Sequence, residues 1–232
     1  MRKNLRKLFL SLFAVVLTTS YVSAQLTLGA RAGFNYTNML DKYGGKKPDK
    51  DLRNKFKSGF QIGIVTDYEL GVVVSIQSGL LFAQQGYKMD NNFYKEKLIV
   101  DLNYLQAPVN MQFKFPMGGI DLLIQTGPYF GFGINGKLKY WDENGKRMSD
   151  EDLKKLYGEV PKFSFGNNRK KNTMKGFDFG IGLGAGLQFG NIQAGFGYNI
   201  GIWNLAIKDR SGYDFVLKNR GLALTVTYLF GN

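Results

Sequence analysis

The chain contains no histidine and no cysteine, and its 232 residues include only 5 Pro and 2 Trp. Without cysteine there is no disulfide framework, no thiolate nucleophile and no acceptor for a lipid anchor behind an export signal. Without histidine the chain lacks the side chain that titrates nearest neutral pH, and with it the usual general base. After residue 25 no apolar run approaches the ~20 residues that a membrane-spanning helix requires. In place of these the chain carries 30 Gly, 19 Phe and 13 Tyr, and a formal net charge of +13. Its length suits a single domain.

The first residues read as an export signal. Arg2, Lys3, Arg6 and Lys7 precede the apolar run Leu8 to Leu17, and Val22-Ser23-Ala24 supplies small residues before Gln25. The expected organisation is therefore a signal peptide at 1–24 and one domain at 25–232. The positive charge that remains suggests anionic partners.

Beyond Gln25 the dominant signal is alternation with period two, which in β structure sends neighbouring side chains to opposite faces. Ile120, Leu122, Ile124, Phe130, Phe132 and Ile134 share one face, with Asp121, Gln125, Tyr129, Asn135, Lys137 and three glycines on the other. From Phe177 to Phe189 apolar residues alternate with Asp178, Gln188 and four glycines. Similar segments start at Leu26, Phe60, Val74, Leu105, Ile192 and Leu222, which gives eight in all. Leu98, Val100, Leu102 and Tyr104 have the opposite parity to Leu105–Phe115, which predicts a bulge or a strand extension near Tyr104. Tight turns fall at Glu69-Leu70-Gly71, Pro116 to Gly119 and Gly190-Asn191. Long polar connections fall at 38–55, 88–97, 141–173 and 207–218.

The predicted fold is all-β: an antiparallel eight-stranded transmembrane β-barrel with short periplasmic turns and four long extracellular loops. A soluble barrel with an apolar interior would carry Lys and Glu on its polar face. Here that face is mostly Gly, Gln, Asn, Ser and Thr, which suit the narrow lumen of eight strands, so the apolar face should point at lipid. Arg31, Asp67, Lys114, Asp121 and Asp178 are then expected to form a polar network in the lumen. Tyr68, Phe115, Tyr140, Phe189, Tyr228 and Phe230 are expected in interfacial girdles.

Several pieces of the chain resemble the porin-like outer-membrane β-barrel proteins of Bacteroidetes, which include PorT-like proteins. They are Tyr104-Leu105-Gln106-Ala107-Pro108, Gly127-Pro128-Tyr129-Phe130-Gly131, Phe177-Asp178-Phe179-Gly180 and Arg220-Gly221-Leu222 to Phe230. The resemblance extends from Leu26 to Phe230 and implies insertion into the cell outer membrane by the barrel-assembly machinery.

Chemistry-bearing motifs are few. Asp150, Glu151 and Asp152 adjoin, but with Ser149 before them and Leu153, Leu156 and Tyr157 after they read as an N-capped helix in a loop rather than a catalytic pair. Gly180 to Gly186 alternate within a strand, unlike a phosphate-binding loop. No metal-ligand spacing is present. Lys46, Lys47 and Lys50, and Arg169, Lys170 and Lys171, are candidate ligand-contact residues on external loops. No cofactor, nucleic acid or catalytic residue is expected. The expected function is a non-enzymatic scaffold whose loops bind lipopolysaccharide, a host protein or glycan, or a partner protein. A porin-like channel or a PorT-like component of secretion is the alternative.

Overall fold

The computed structural model describes residues 25–43, 54–91, 96–168, 172–207 and 215–230. Eight antiparallel strands run in chain order around a closed barrel: β1 (Leu26–Tyr43), β2 (Lys57–Gly71), β3 (Val74–Asn91), β4 (Glu96–Pro116), β5 (Asp121–Trp141), β6 (Phe177–Phe189), β7 (Ile192–Gly201) and β8 (Phe215–Phe230). Among the described residues there is one helix, α1 (Asp150–Tyr157), between β5 and β6. Pairing of β8 with β1, from Leu28↔Phe230 to Tyr43↔Phe215, closes the ring and leaves no strand edge free along it.

The period-two pattern decides which way the sheet faces. Ile62, Ile64, Leu183, Leu224 and Val226 are each 56–64% exposed on the outside. Their neighbours Gln61, Arg31, Asp178 and Thr227 are buried inside. This apolar belt runs around the whole barrel, far beyond the ~300–600 Å² patch of an ordinary soluble monomer. On β4 the outward residues run from Leu105 to Phe115. At ~3.3 Å per residue and a tilt of ~40° that distance gives about 25 Å of height, which matches the apolar band of a membrane barrel.

At the turn end the connections are short. Residues 117–120 join β4 to β5 and Gly190-Asn191 joins β6 to β7. The β2–β3 turn is two residues later than the sequence suggests, because β2 continues through Glu69-Leu70-Gly71 and the chain reverses at Val72-Val73. Tyr68, Phe115, Phe189, Tyr228 and Phe230 are 36–51% exposed near this end and make one aromatic girdle.

The loop end differs more from expectation. Residues 38–43, 88–91, 96–97 and 215–218, taken from their polarity as loop, are strand. The 88–97 connection thus shrinks to residues 92–95. Polar residues extend these strands because beyond the bilayer the sheet no longer meets lipid, so pairing continues without an apolar outer face.

The register of β4 against β5 slips between Asn103 and Tyr104, at the position where the sequence indicates a bulge. The extra residue, however, is in β5: Asn103 pairs with Asn135 and Tyr104 with Gly133, with Ile134 between them. Ile134 and Asn135 are therefore both exposed. The shift reverses parity in β5 and leaves β4 unchanged. Val100, Leu102 and Tyr104 consequently face inward and are almost fully buried, while Asn135 and Lys137, expected inside, lie outside. Tyr140 likewise takes the inner parity and packs on Tyr157 of α1, ring centroids 5.8 Å apart, instead of joining a girdle.

Candidate functional site

The lumen is filled in three layers. At the turn end Lys114 Nζ lies 2.9 Å from Asp67 Oδ2 and 3.0 Å from Glu69 Oε1. Lys114 and Asp67 are both buried, and their strands β4 and β2 are not neighbours, so the ion pair spans the interior. Beside it Val65, Leu81 and Leu229 form a small apolar cluster.

Next comes a relay of amides. Arg31 donates through Nε to Thr227 Oγ1 at 2.8 Å and through a terminal nitrogen to the Gln77 carbonyl. Gln77 Nε2 donates to Gln193 Oε1 at 2.9 Å, and Gln193 Nε2 donates to Gln188 Oε1 at 3.0 Å. These contacts tie β1, β3, β6, β7 and β8 together. Glutamine suits this place because one side chain both donates and accepts, so a chain of hydrogen bonds can cross the lumen without unpaired charge. Further along, Asp178 accepts from Asn219 Nδ2 at 2.8 Å and from the Tyr129 hydroxyl at 3.2 Å.

Of the residues expected to form one lumen network, the structure joins Lys114 with Asp67, but Arg31 and Asp178 sit in separate clusters with uncharged partners. Asp121 belongs to none of these groups. It opens β5 at the turn-end rim, half-buried and in register with Pro116 and Gln188. Gln77, Gln193, Thr227, Tyr129 and Asn219 were not singled out by sequence. Their inward parity was the available signal, but parity does not say which amides on separate strands share a height.

Between the layers is a cavity of about 60 Å³ lined by Arg31, Gln61, Gln106, Gln125, Tyr129 and Asn199. It has room for a few waters and is far below the ~300–1,000 Å³ of a small-molecule site.

The third layer closes the loop end with a hydrophobic core of Met39, Val100, Leu102, Tyr104, Met174, Leu205, Ala206 and Leu217. Phe163 and Phe165, from the segment between α1 and β6, pack against it. Phe165 lies over Tyr104 at 5.4 Å between ring centroids and edge-on to Phe163 at 4.9 Å. Gly133 makes the fit possible, since a Cβ there would come within 2.6 Å of the Phe165 ring. The chain between β5 and β6 thus folds down over the barrel mouth.

Helix α1 follows β5 and meets it through Tyr157 on Tyr140. Ser149 Oγ accepts from the Asp152 amide at 3.2 Å, and the Asp152 carboxylate accepts from the Ser149 amide at 3.0 Å, a reciprocal cap at the N-terminus. The Ser149 hydroxyl also donates to the Asp152 carboxylate at 2.7 Å, and this bond, followed by that from the Ser149 amide, holds the Asp152 carboxyl below its ordinary range. The three adjacent carboxylates are therefore the first turn of a helix. Leu153 is buried, whereas Leu156 and Tyr157 are 55% and 46% exposed. Gly180 to Gly186 lie inside β6. Lys46, Lys47, Lys50, Arg169, Lys170 and Lys171 lie outside the described residues. Among the described residues no cluster of three or more acidic, histidine or cysteine side chains is placed to hold a metal ion.

The chain is similar to Ail, the attachment invasion locus protein of Yersinia pestis, at 17% identity over 89% of this chain and 99% of that one, with a TM-score of 0.42. It is similar to Neisserial surface protein A at 10% identity over 87% and 96%, TM-score 0.38. It is also similar to the outer membrane protease OmpT of Escherichia coli at 11% identity over 88% and 97%, TM-score 0.35. No curated protein matches the chain. Residues 20–206 match the family described as outer membrane protein beta-barrel domain. The protein is an outer-membrane β-barrel and belongs to that family.

Proposed function

We propose that this barrel is a non-enzymatic, non-conducting surface scaffold, in which the strands serve as a rigid mount and the chain between β5 and β6 is the binding element. The observation that carries this reading is the apolar plug around Leu102, Tyr104 and Phe165, which fills the loop end of the lumen and anchors part of the chain between α1 and β6 there. A mount that orders its longest loop supports recognition of a surface protein, a glycan or lipopolysaccharide better than passage of solutes. Water-filled channels belong to barrels of ~16–18 strands. The absence of histidine and the capping role of Asp152 support a non-enzymatic reading.

The test has two parts. Planar-bilayer recording of the purified protein should show no stable conductance, and a steady open channel would reject the scaffold reading. Removing residues 144–159 takes away α1 but keeps Phe163 and Phe165 in the plug. The shortened barrel should fold and lose attachment to its surface ligand, and undiminished attachment would remove α1 from the proposal. The pieces shared with PorT-like proteins of Bacteroidetes support placing the chain among them. If the scaffold serves secretion, loss of secreted cargo in a deletion strain is the outcome that says so.

A further inference from the structure

We infer that the outer face of the β2–β5 sector, just above the lipid-facing belt at the loop end, is a docking surface for the phosphate groups of outer-leaflet lipid. Strand pairing sets the geometry. Leu98, Val100 and Leu102 take the inner parity, so the alternate rows fall outside: Asp90 with Lys97, Lys88 with Ile99, Ile99 with Lys139, and Asp101 with Lys137. Lys55 enters the same surface just ahead of β2, whereas Lys57 is buried and shares the inward parity of Gln61. Lys55 pairs with Asp90 at 2.7 Å, and Lys57 passes beside Gly86 to reach Asp101 at 2.7 Å. Gly86, at φ +139°, has no side chain to block that path.

Five lysines thus share this face with two carboxylates, and the buried Lys57 is a sixth ammonium beside them. Lys139 takes the other oxygen of Asp101 at 2.6 Å. Among the described residues Lys88 and Lys137 have no acidic partner, and Lys97 rests over the Trp141 ring at 6.0 Å. The surplus of about four positive charges would be unfavourable if left to itself, because lysines held on neighbouring strands repel.

Depth identifies what neutralises it. The last lipid-facing residues of these strands are Phe82, Leu105 and Ile134. Lys137 follows Ile134 by three residues, which at ~3.3 Å each and ~40° of tilt puts it about 7 Å higher. The headgroup layer is roughly 5–8 Å thick on each side of the hydrocarbon, so these ammonium groups lie at phosphate height. Lysines near an anionic leaflet contribute about a few-fold each in lipid association. The opposite rim lacks this arrangement: its basic side chain, Lys114, points into the lumen, and its outward residues are Tyr68, Phe115, Phe189, Tyr228 and Phe230. The cationic surface therefore matches one leaflet and not the other. The inference rests on the membrane placement of the barrel and not on the binding role of α1, so either can fail alone.

The test reconstitutes the full barrel, with Trp203→Phe to leave Trp141 as the donor, in phosphatidylcholine vesicles containing a trace of fluorescent diphosphoryl lipid A. Energy transfer from Trp141 should greatly exceed that to the same lipid stripped of its phosphates. The triple variant Lys88→Gln, Lys97→Gln, Lys137→Gln should weaken the association about tenfold or more, and 0.5 M salt should do the same to the parent. Heat-dependent gel migration verifies that the variant is a folded barrel. If it does not fold, the salt and phosphate comparisons on the parent decide the matter. Equal transfer to both lipids, or full association by a folded triple variant, would overturn the inference.

Discussion

Tyr104 of β4 and Phe165 of the loop above it meet with ring centroids 5.4 Å apart and planes tilted by 60°, inside the mouth of the barrel. Tyr104 is buried to 1% exposure, so an aromatic residue directly beside the lipid-facing Leu105 is the floor of a plug. Truncating it removes the contact and leaves a cavity. Tyr104→Ala should cost roughly 3 kcal/mol, measured as a fall in the urea midpoint of the barrel in micelles, with its membrane insertion retained.

Gly133 carries the same contact from the other side. A Cβ there would stand 2.6 Å from the Phe165 ring, so Gly133→Val should expel Phe165 and its neighbours at 162–168 from the mouth. Limited chymotrypsin treatment should then cut near Phe163 or Phe165 in the variant and spare the parent. Equal resistance would show that the loop does not depend on this packing.

Across the turn end, Lys114 and Asp67 hold one another with both side chains less than 10% exposed. Removing one partner strands the other charge. Lys114→Met should cost about 3–5 kcal/mol, whereas the double variant Lys114→Met, Asp67→Leu should recover most of that loss. Urea unfolding of the four species in a double-mutant cycle provides the check.

The cap of α1 predicts a local dependence on pH. Asp152 is held below its ordinary range by Ser149, so its contribution to the helix is complete above the unfolded-state pKa near 4 and disappears as pH falls through the lower folded value. Protection of the amides of residues 150–157 against exchange should be lost as the pH falls below about 4, while β6 and β7 stay protected. Ser149→Ala should bring the same fraying at neutral pH.

Much of the barrel was legible because the pattern that specifies it is redundant. In β6 and β7, from Phe177 to Gly201, every second residue is apolar and the intervening ones are small or amide, so strand, face and turn are all fixed locally. The loop end was not legible for the opposite reason. Leu98, Val100, Leu102 and Tyr104 have an apolar pattern that fits lipid as well as it fits a core. What settles their direction is that β4 runs without a bulge from Glu96 to Pro116, the added residue, Ile134, being in the neighbouring strand. The lumen contacts were legible only in part. Parity put Arg31, Asp67, Lys114 and Asp178 inside, but the relay from Arg31 through Gln77 to Gln193 depends on strand stagger around the ring, which no local pattern records. Asp121 failed as a member because its place at the first position of β5 puts it on the rim.

The direction of the apolar face is the claim on which everything else stands, and the chain's lack of cysteine makes it directly measurable. Single cysteines placed in turn at Ile181, Gly182, Leu183 and Gly184, labelled with a fluorophore and reconstituted in vesicles, can be challenged with lipids bearing a quencher on their acyl chains. Quenching should be strong at 181 and 183 and weak at 182 and 184. Strong quenching at 182 and 184 with 181 and 183 shielded would contradict the account.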